Sequence, residues 1–170
     1  MPQLKDPNFE QTVVLLCEHS EEGALGVVVN RPTPFLLGQI YEGQKVEGTG
    51  GAEQSILYGG PVQPEMGFVL YRGREYEGST EVVGGLRLST SMEVLRDIAA
   101  DQGPQQFLFA LGYAGWAPDQ LEEEIARNDW LVVPADPDLL FRVSPDELWT
   151  ETVRSLGIDP NLLAQGFGTA

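Results

Sequence analysis

The chain has 170 residues and a mass of 18.6 kDa, the usual size of one domain built around one hydrophobic core. Its 26 acidic and 10 basic residues give a formal net charge of −16. That balance argues against direct binding to nucleic acid or to an anionic membrane, because both depend on Lys and Arg near phosphates. A basic protein, a peptide or a metal cation would instead be attracted.

The chain begins MPQLKDP, which has the features of neither a signal peptide nor a transit peptide. No apolar run approaches the roughly 18 residues needed to span a bilayer. We therefore expect a soluble, cytoplasmic protein. Cys17 is the only cysteine, so an internal disulfide is excluded, in agreement with a reducing compartment.

The first third of the chain predicts a hairpin and a short helix. The β-branched run at residues 12–16 predicts a central strand covered on both faces, and residues 24–29 predict its antiparallel partner across a polar loop. Pro32 ends this pair because it cannot continue a ladder. Residues 35–41 predict a short helix, and the glycine-rich stretch at 42–54 predicts a mobile loop.

The middle of the chain predicts four short strands and a helix. Residues 55–58 and 68–71 each predict a strand, and we expect these two to form a second hairpin. Residues 81–83 and 86–88 predict two more, with a turn or bulge at Gly84-Gly85. Thr90 and Glu93 then form a capping-box pattern ahead of an amphipathic helix.

The last third predicts a strand, a glycine turn and an acidic helix. Residues 107–111 form an apolar run typical of a covered strand, and Gly112 and Gly115 are expected to bound a turn. Pro118 is suited to the first position of the next helix. Residues 130–133 predict a strand, and helical patterns follow near residues 137 and 145.

A glycine turn ahead of a helix, as predicted after residue 111, is typical of a phosphate-binding site, but the acidic residues of this helix are unsuitable for binding an anion. Four carboxylates follow within the first two helical turns, and they would repel an anion. Tyr113 and Trp116 are expected to be exposed on this turn and to line a ligand groove or a partner contact. The alternative of equal weight is that both rings cap the core.

Cys17 and His19 are two residues apart at a strand end, so their side chains share one face. Such neighbours stand about 7 Å apart along a strand, too far for a catalytic dyad, and we expect Cys17 to be a buried structural thiol. His19, with Glu18 beside it, is a weak candidate for an acid or base.

The chain carries no recognisable metal or cofactor motif. A single Cys and a single His cannot supply a structural zinc site, and neither a calcium loop nor a nucleotide fingerprint is present. We therefore expect no metal and no cofactor.

Arg31 is a basic residue on a strand-ending turn in an acid-rich chain, where its guanidinium could clamp a carboxylate or phosphate. The alternative is that it pairs with one of the many acids nearby. Other turns at strand ends would form a recognition rim with it if they converge. The predicted rim contains Asn30, Arg31, Gly59, Gly60, Pro61, Gly112, Tyr113, Gly115 and Trp116.

Five segments occur in the order found in one bacterial family: LKDPNF at 4–9, TVVLLCEHSEEGALGVVVNRPT at 12–33, YGGPVQPEMGFVLY at 58–71, LSTS at 88–91 and FALGYAGWAPDQLEEEIARNDWLVVPAD at 109–136. Together they resemble the AlgH/YqgE-like family across nearly the whole chain. The resemblance implies one α+β domain over residues 1–170, with a mixed, largely antiparallel sheet bent into a pseudo-barrel and helices packed against it.

The resemblance also implies a protein without an established biochemical activity, for which "transcriptional regulator" describes a genetic association. Members carry a further apolar strand before a Pro-x-Leu-x-Asp-Pro motif, and this chain begins inside that motif at Met1-Pro2. We therefore expect that first strand to be missing, which would leave a strand edge exposed.

Two functional hypotheses follow. In the first, the protein is a small binding or regulatory protein with an unidentified protein or small-molecule partner, acting without direct contact to DNA or membrane. In the second, it is a small hydrolase or transferase that uses His19 or a carboxylate as acid or base. Its oligomeric state stays open.

Overall fold

A computed structural model describes residues 6–7 and 9–164, which contain eight strands and six helices. The strands are β1 (Val14–Ser20), β2 (Gly23–Val28), β3 (Pro32–Leu36), β4 (Ser55–Tyr58), β5 (Val62–Arg72), β6 (Thr80–Val83), β7 (Leu86–Ser89) and β8 (Gln106–Trp116). The helices are α1 (Leu37–Gln44), α2 (Met92–Ala99), α3 (Gln120–Ala126), α4 (Pro137–Arg142), α5 (Pro145–Ser155) and α6 (Pro160–Ala164).

The sheet is mixed and almost closes on itself. Its main path runs β1-β2-β8-β5-β7-β6 with antiparallel neighbours throughout. One edge of β8 pairs with β5, while the other edge pairs first with β4, in parallel, and then with β2. The terminal strands β1 and β6 contact each other without pairing. The α+β class and the pseudo-barrel are thereby confirmed.

Side chains of β8 alternate between two apolar clusters, and helices contribute residues to both clusters. Phe109 packs with α1 and α2 residues such as Tyr41 and Ile98. Ala110 packs with the opposite cluster, which includes Leu140 from α4 and Leu148 from α5. The ion pair between Arg72 and Asp138 fixes α4 beside the last residue of β5.

Several local predictions agree with the structure. Gly84 and Gly85 have φ values of 53° and 79° and make the turn between β6 and β7. Ser144 precedes α5 with Pro145 at its start, as the pattern predicts. The N-cap of α2 is Ser91, one residue after the predicted Thr90. The Ser91 hydroxyl accepts the Glu93 N–H.

Four predictions about strands and loops were wrong in detail. β1 is an edge strand, not a central one, since among the described strands β2 alone pairs with it. β4 and β5 form no hairpin, because β4 pairs with β3 and β8. Residues 130–133 form no strand, and Trp130 instead packs its ring on Trp116. The loop after α1 is packed, with Gly50 donating to the carbonyl of Ala99.

The expected missing N-terminal strand concerns positions before Asp6, which lie outside the described residues. None of the helices in the described part of the chain has the length and apolarity that a membrane crossing requires.

Candidate functional site

A cavity of about 660 Å³ lies beside the tip of the β1–β2 hairpin and is called the hairpin groove below. Glu18, His19 and Glu22 line it from the hairpin, and Tyr113 and Trp116 line it from the end of β8. Its volume falls within the range typical of ligand sites. Both weak acid–base candidates therefore lie in the same groove as predicted rim residues.

Backbone pairing places the hairpin tip against β8. Ala24 pairs with Trp116 and Leu25 pairs with Gly115, so the tip lies beside the last residues of β8. Gly23 makes this contact possible, because a Cβ at that position would stand 2.3 Å from the Trp116 carbonyl oxygen. The groove thus depends on a glycine at the hairpin turn.

His19 does not face Cys17 but a carboxylate from a distant segment. Its Nε2 is hydrogen-bonded to Oε1 of Glu122 in the first turn of α3, and both side chains are roughly half exposed. That hydrogen bond lowers the pKa of Glu122 below its ordinary value. The pair fixes the hairpin against α3 and places an imidazole at the groove.

Cys17 is a structural thiol, as predicted. Its side chain packs against the core cluster that contains Leu15, and its Sγ–H donates to the Leu15 carbonyl at 3.4 Å. Burial, followed by the nearby charge of Glu18, raises the pKa of the thiol to about 12. Its thiolate is therefore scarce at neutral pH.

Trp116 was predicted to be exposed, and this is wrong: its relative exposure is 7%. Its ring packs on Trp130 with centroids 5.6 Å apart, and its Nε1–H donates to Glu124 Oε2 at 2.9 Å. Trp130 donates to the same oxygen at 2.7 Å, and Gln120 donates to Oε1. Trp116 therefore supports the floor of the groove, which agrees with the alternative that it caps the core.

Glu124 holds this indole pair together. Burial raises the pKa of its carboxyl, but the hydrogen bonds from Trp130, Gln120 and Trp116 outweigh that effect and lower it. The carboxylate is therefore ionised and accepts its hydrogen bonds from within the protein. Its role is structural.

Tyr113 is the aromatic residue of the groove that stays partly accessible. Its ring meets Phe68 edge-on with centroids 5.8 Å apart, while its remaining surface lines the cavity. Gly115 is exposed beside it. The two residues leave an open, ring-bordered wall on the β8 side of the groove.

The expected turn between Gly112 and Gly115 is absent, because β8 continues through both residues to Trp116. Gly112 instead has a φ of 77° and lies where the β5–β8 register shifts. Gly59 bridges two strands there, donating to the Leu111 carbonyl and accepting from Val28. Gly59, Gly60 and Gly112 are buried at this junction and serve close backbone packing.

Asn30 and Arg31 bind the N-terminal segment and do not line the groove. Asn30 Oδ1 accepts the Val13 N–H at 2.8 Å, and Arg31 donates to the carbonyls of Pro7 and Glu10 at 2.6 and 2.7 Å. These two donors of Arg31 therefore bind backbone carbonyls, and not a ligand anion or an acidic side chain as expected. The exposed Pro61 also lies outside the groove.

The predicted rim therefore divides into two sets. Tyr113, Gly115 and Trp116 meet Glu18 and His19 in the hairpin groove, whereas the remaining rim residues lie outside it, with the three glycines at the strand junction and Asn30 and Arg31 hydrogen-bonded to the N-terminal segment. Sequence reasoning missed Glu22, Leu25, Val62 and Glu122 at this site. Glu122 is 103 positions from His19, and no local pattern indicates that pairing.

Among the described residues, no group of three or more His, Cys, Asp or Glu side chains is arranged to hold a metal ion.

Comparison with known proteins identifies close relatives along the full length. A family model described as AlgH-like matches residues 1–161. A UPF0301 protein of Ralstonia nicotianae is 49% identical, with 100% of this chain and 91% of that protein covered. A UPF0301 protein of Myxococcus xanthus is 43% identical, with 99% and 93% covered.

Two solved structures share the fold. The solution structure of the AlgH protein from Pseudomonas aeruginosa has a TM-score of 0.81 at 44% identity and covers 100% of this chain and 92% of its own. The crystal structure of a protein from Corynebacterium diphtheriae has a TM-score of 0.71 at 21% identity, covering 99% and 87%. The second supports the fold alone.

Proposed function

The chain belongs to the AlgH-like family, whose biochemical function is uncharacterised, and from that premise we propose that it is a binding protein whose hairpin groove recognises a cationic partner. The observation that carries this proposal is the composition of the groove wall. Glu18 and Glu22 contribute carboxylates and Tyr113 contributes an aromatic surface, and the described residues that line the cavity include neither Lys nor Arg.

The charge of the whole chain supports the same partner. A net charge of −16 attracts cations over a Debye length of about 8 Å at physiological salt, and the groove concentrates two carboxylates beside a ring. An aromatic ring next to carboxylates suits an ammonium or guanidinium group. A basic peptide segment is the partner that fits these features.

The proposal extends to regulation by contact with a protein and not with DNA. Phosphates would be repelled by the acidic surface, so a regulatory effect on transcription would pass through a basic protein partner. We also place this activity in the cytoplasm, where the free thiol of Cys17 would stay reduced.

The experiment is an NMR titration of the ¹⁵N-labelled protein with a short peptide in which lysine and valine alternate. We expect shifts of the Gly23 and Gly115 amides, which line the groove, and a decline in affinity as salt is raised. The same peptide with glutamate for lysine is the matched probe. Equal binding of both peptides, or no binding of either, would refute the proposal.

A pair of variants tests whether the groove carboxylates are responsible. Glu22→Gln removes a charge that lines the groove, and Glu21→Gln removes the adjacent charge that does not. We expect Glu22→Gln to weaken the lysine peptide about threefold and Glu21→Gln to have a much smaller effect, as is typical of partly exposed charges. Equal losses would mean that only net charge matters.

The catalytic alternative has one observation in its favour, the hydrogen bond between His19 and Glu122 at the groove. A histidine oriented by a carboxylate is a common acid–base arrangement. His19→Asn separates the two functions: a binding role predicts retained affinity for the lysine peptide. A hydrolase or transferase screen that finds turnover lost in this variant would favour the enzyme instead.

A further inference from the structure

A second cavity, of about 280 Å³, lies at one end of the pseudo-barrel and is called the barrel mouth below. Each of the six strands of the main path contributes to its wall: Glu18 from β1, Leu25 from β2, Tyr113 from β8, Phe68 from β5, Leu88 from β7 and Thr80 from β6. The α4 helix lies near Arg72, at the far end of β5. The mouth is thus the open end of the barrel, a common location for ligands.

The floor of the barrel mouth is apolar and rigidly packed. Phe68 and Leu88 are 3% and 7% exposed and belong to the core cluster inside the barrel. Tyr113 packs edge-on against Phe68 and forms one side wall. A short alkyl chain would replace water on this floor and would be stabilised by the removal of apolar surface from water.

Among the described residues that line the barrel mouth, Glu18 is the one with a charge. Within the described part of the chain its carboxylate makes neither a hydrogen bond nor an ion pair, in contrast to Glu122 and Glu124. The remaining polar lining consists of uncharged groups such as Thr80 and Ser89. A carboxylate beside an apolar floor selects a ligand that is cationic at one end and apolar along its length.

We propose that the barrel mouth binds a primary alkylammonium group, with the ammonium on Glu18 and the alkyl chain on Phe68 and Leu88. The group could be a lysine side chain of a partner or a free alkylamine. Glu18, Leu25 and Tyr113 line both the mouth and the hairpin groove, so a peptide in the groove can insert one lysine into the mouth. The inference rests on the proposed binding role and adds the anchoring group.

The test uses n-pentylammonium as the free amine and the lysine–valine peptide as the second source. Chemical shifts are followed at Gly78, Leu88 and Ser89, which line only the mouth, and at Gly23 and Gly115, which line only the groove. We expect n-pentylammonium to shift the mouth amides. Pentanoate and n-pentanol, which have a similar chain without the positive charge, should shift these amides only at concentrations at least about tenfold higher.

Two variants test the geometry. Glu18→Gln keeps the size of the side chain and removes its charge, and we expect about a tenfold loss of n-pentylammonium affinity. Glu21→Gln, on the same hairpin but outside the mouth, should retain it. Thr80→Phe keeps the charge but narrows the mouth at an exposed strand position, and it should also abolish the shifts. A circular dichroism melt establishes that each variant folds.

The outcomes distinguish the two proposals. Shifts of the mouth amides by both the amine and the peptide, with affinity reduced about tenfold in Glu18→Gln, support the inference with a lysine side chain as one source. Mouth shifts with the amine alone support it with a free alkylamine. Peptide shifts confined to Gly23 and Gly115, with no shift of the mouth amides by n-pentylammonium, would overturn the inference and leave the binding role intact. If neither ligand shifts the amides of either cavity, both the inference and the proposed binding role are overturned.

Discussion

Gly112 and Gly60 lie back to back, so that a Cβ added to Gly112 would stand 2.3 Å from the carbonyl oxygen of Gly60. Gly112 also has a φ of 77°, a conformation that side chains disfavour. This contact lies where β8 changes its neighbour from β4 to β2. The close approach of the two backbones at that crossing therefore requires glycine.

We expect Gly112→Ala to destabilise the protein by about 3 kcal/mol or more, because backbone strain and a steric clash add. Gly157→Ala is the matched control: its φ is 74°, but nothing lies within 4 Å of its Cβ position. That variant should lose only about 1 kcal/mol from the conformational term. Urea denaturation measures both, and equal losses would show that packing against Gly60 is unimportant.

Arg31 should be a stability residue and not a recognition residue. Its guanidinium donates to the carbonyls of Pro7 and Glu10, so Arg31→Gln should release this segment and lower the free energy of unfolding by about 1 kcal/mol. Hydrogen exchange should rise at Phe9 and Thr12, whose amides bond within the segment.

The control for Arg31 is Arg96→Gln, an exposed arginine on α2. It removes the same charge without touching the N-terminal segment and should leave exchange there unchanged. Binding of the lysine–valine peptide should survive in both variants. If Arg31→Gln loses peptide binding and Arg96→Gln does not, Arg31 contributes to recognition and this prediction is wrong.

Elements set by local chemistry could be predicted from the sequence. The β1–β2 hairpin, the Gly84-Gly85 turn and the start of α5 at Pro145 each depend on residues close in the chain. The parallel pairing of β4 with β8 joins segments about fifty positions apart, and the expected hairpin of β4 with β5 failed for that reason. The turn expected between Gly112 and Gly115 was wrong for a different reason, because a strand bulge and a turn both use glycine.

The candidate site shows the same division. Glu18, His19, Tyr113 and Gly115 were singled out on chemical grounds, and the fold brings them to one groove. Val62 and Leu25 line the groove only because strand pairing brings them there, and as apolar residues they have no functional group that would indicate a site in the sequence. The burial of Trp116 depends on Trp130 and Glu124, which come from an irregular segment and from α3.

Cys17 should be unreactive in the folded protein. Burial raises the pKa of its thiol to about 12, so the nucleophilic thiolate is rare at neutral pH. We expect iodoacetamide to label Cys17 slowly in buffer and rapidly in urea, with mass spectrometry as the readout. Cys17→Ser should retain binding of the lysine–valine peptide. Rapid labelling of the native protein would contradict the packing described for β1.

Glu124 should make stability depend on pH through its contacts with Trp116 and Trp130. Because these hydrogen bonds lower the pKa of its carboxyl in the folded state, the ionised form stabilises the fold above the unfolded-state pKa. That contribution is lost as pH falls from about 5 through the lower, folded-state pKa. The protein should therefore lose stability on acidification in this window.

Glu124→Gln tests this contribution because it replaces one acceptor oxygen with an amide N–H₂ among three N–H donors. The carbonyl oxygen of the new amide can still accept from the indoles, but its N–H₂ group would then face the Gln120 amide that donates to Oε1 in the wild type. We expect a loss of about 1 kcal/mol at pH 7 that shrinks towards zero as the wild-type carboxyl protonates. Glu123→Gln, an exposed neighbour, should show neither effect. Urea melts followed by tryptophan fluorescence between pH 7 and pH 3 measure the difference, and a constant gap between wild type and Glu124→Gln would show that ionisation of this carboxyl does not stabilise the indole pair.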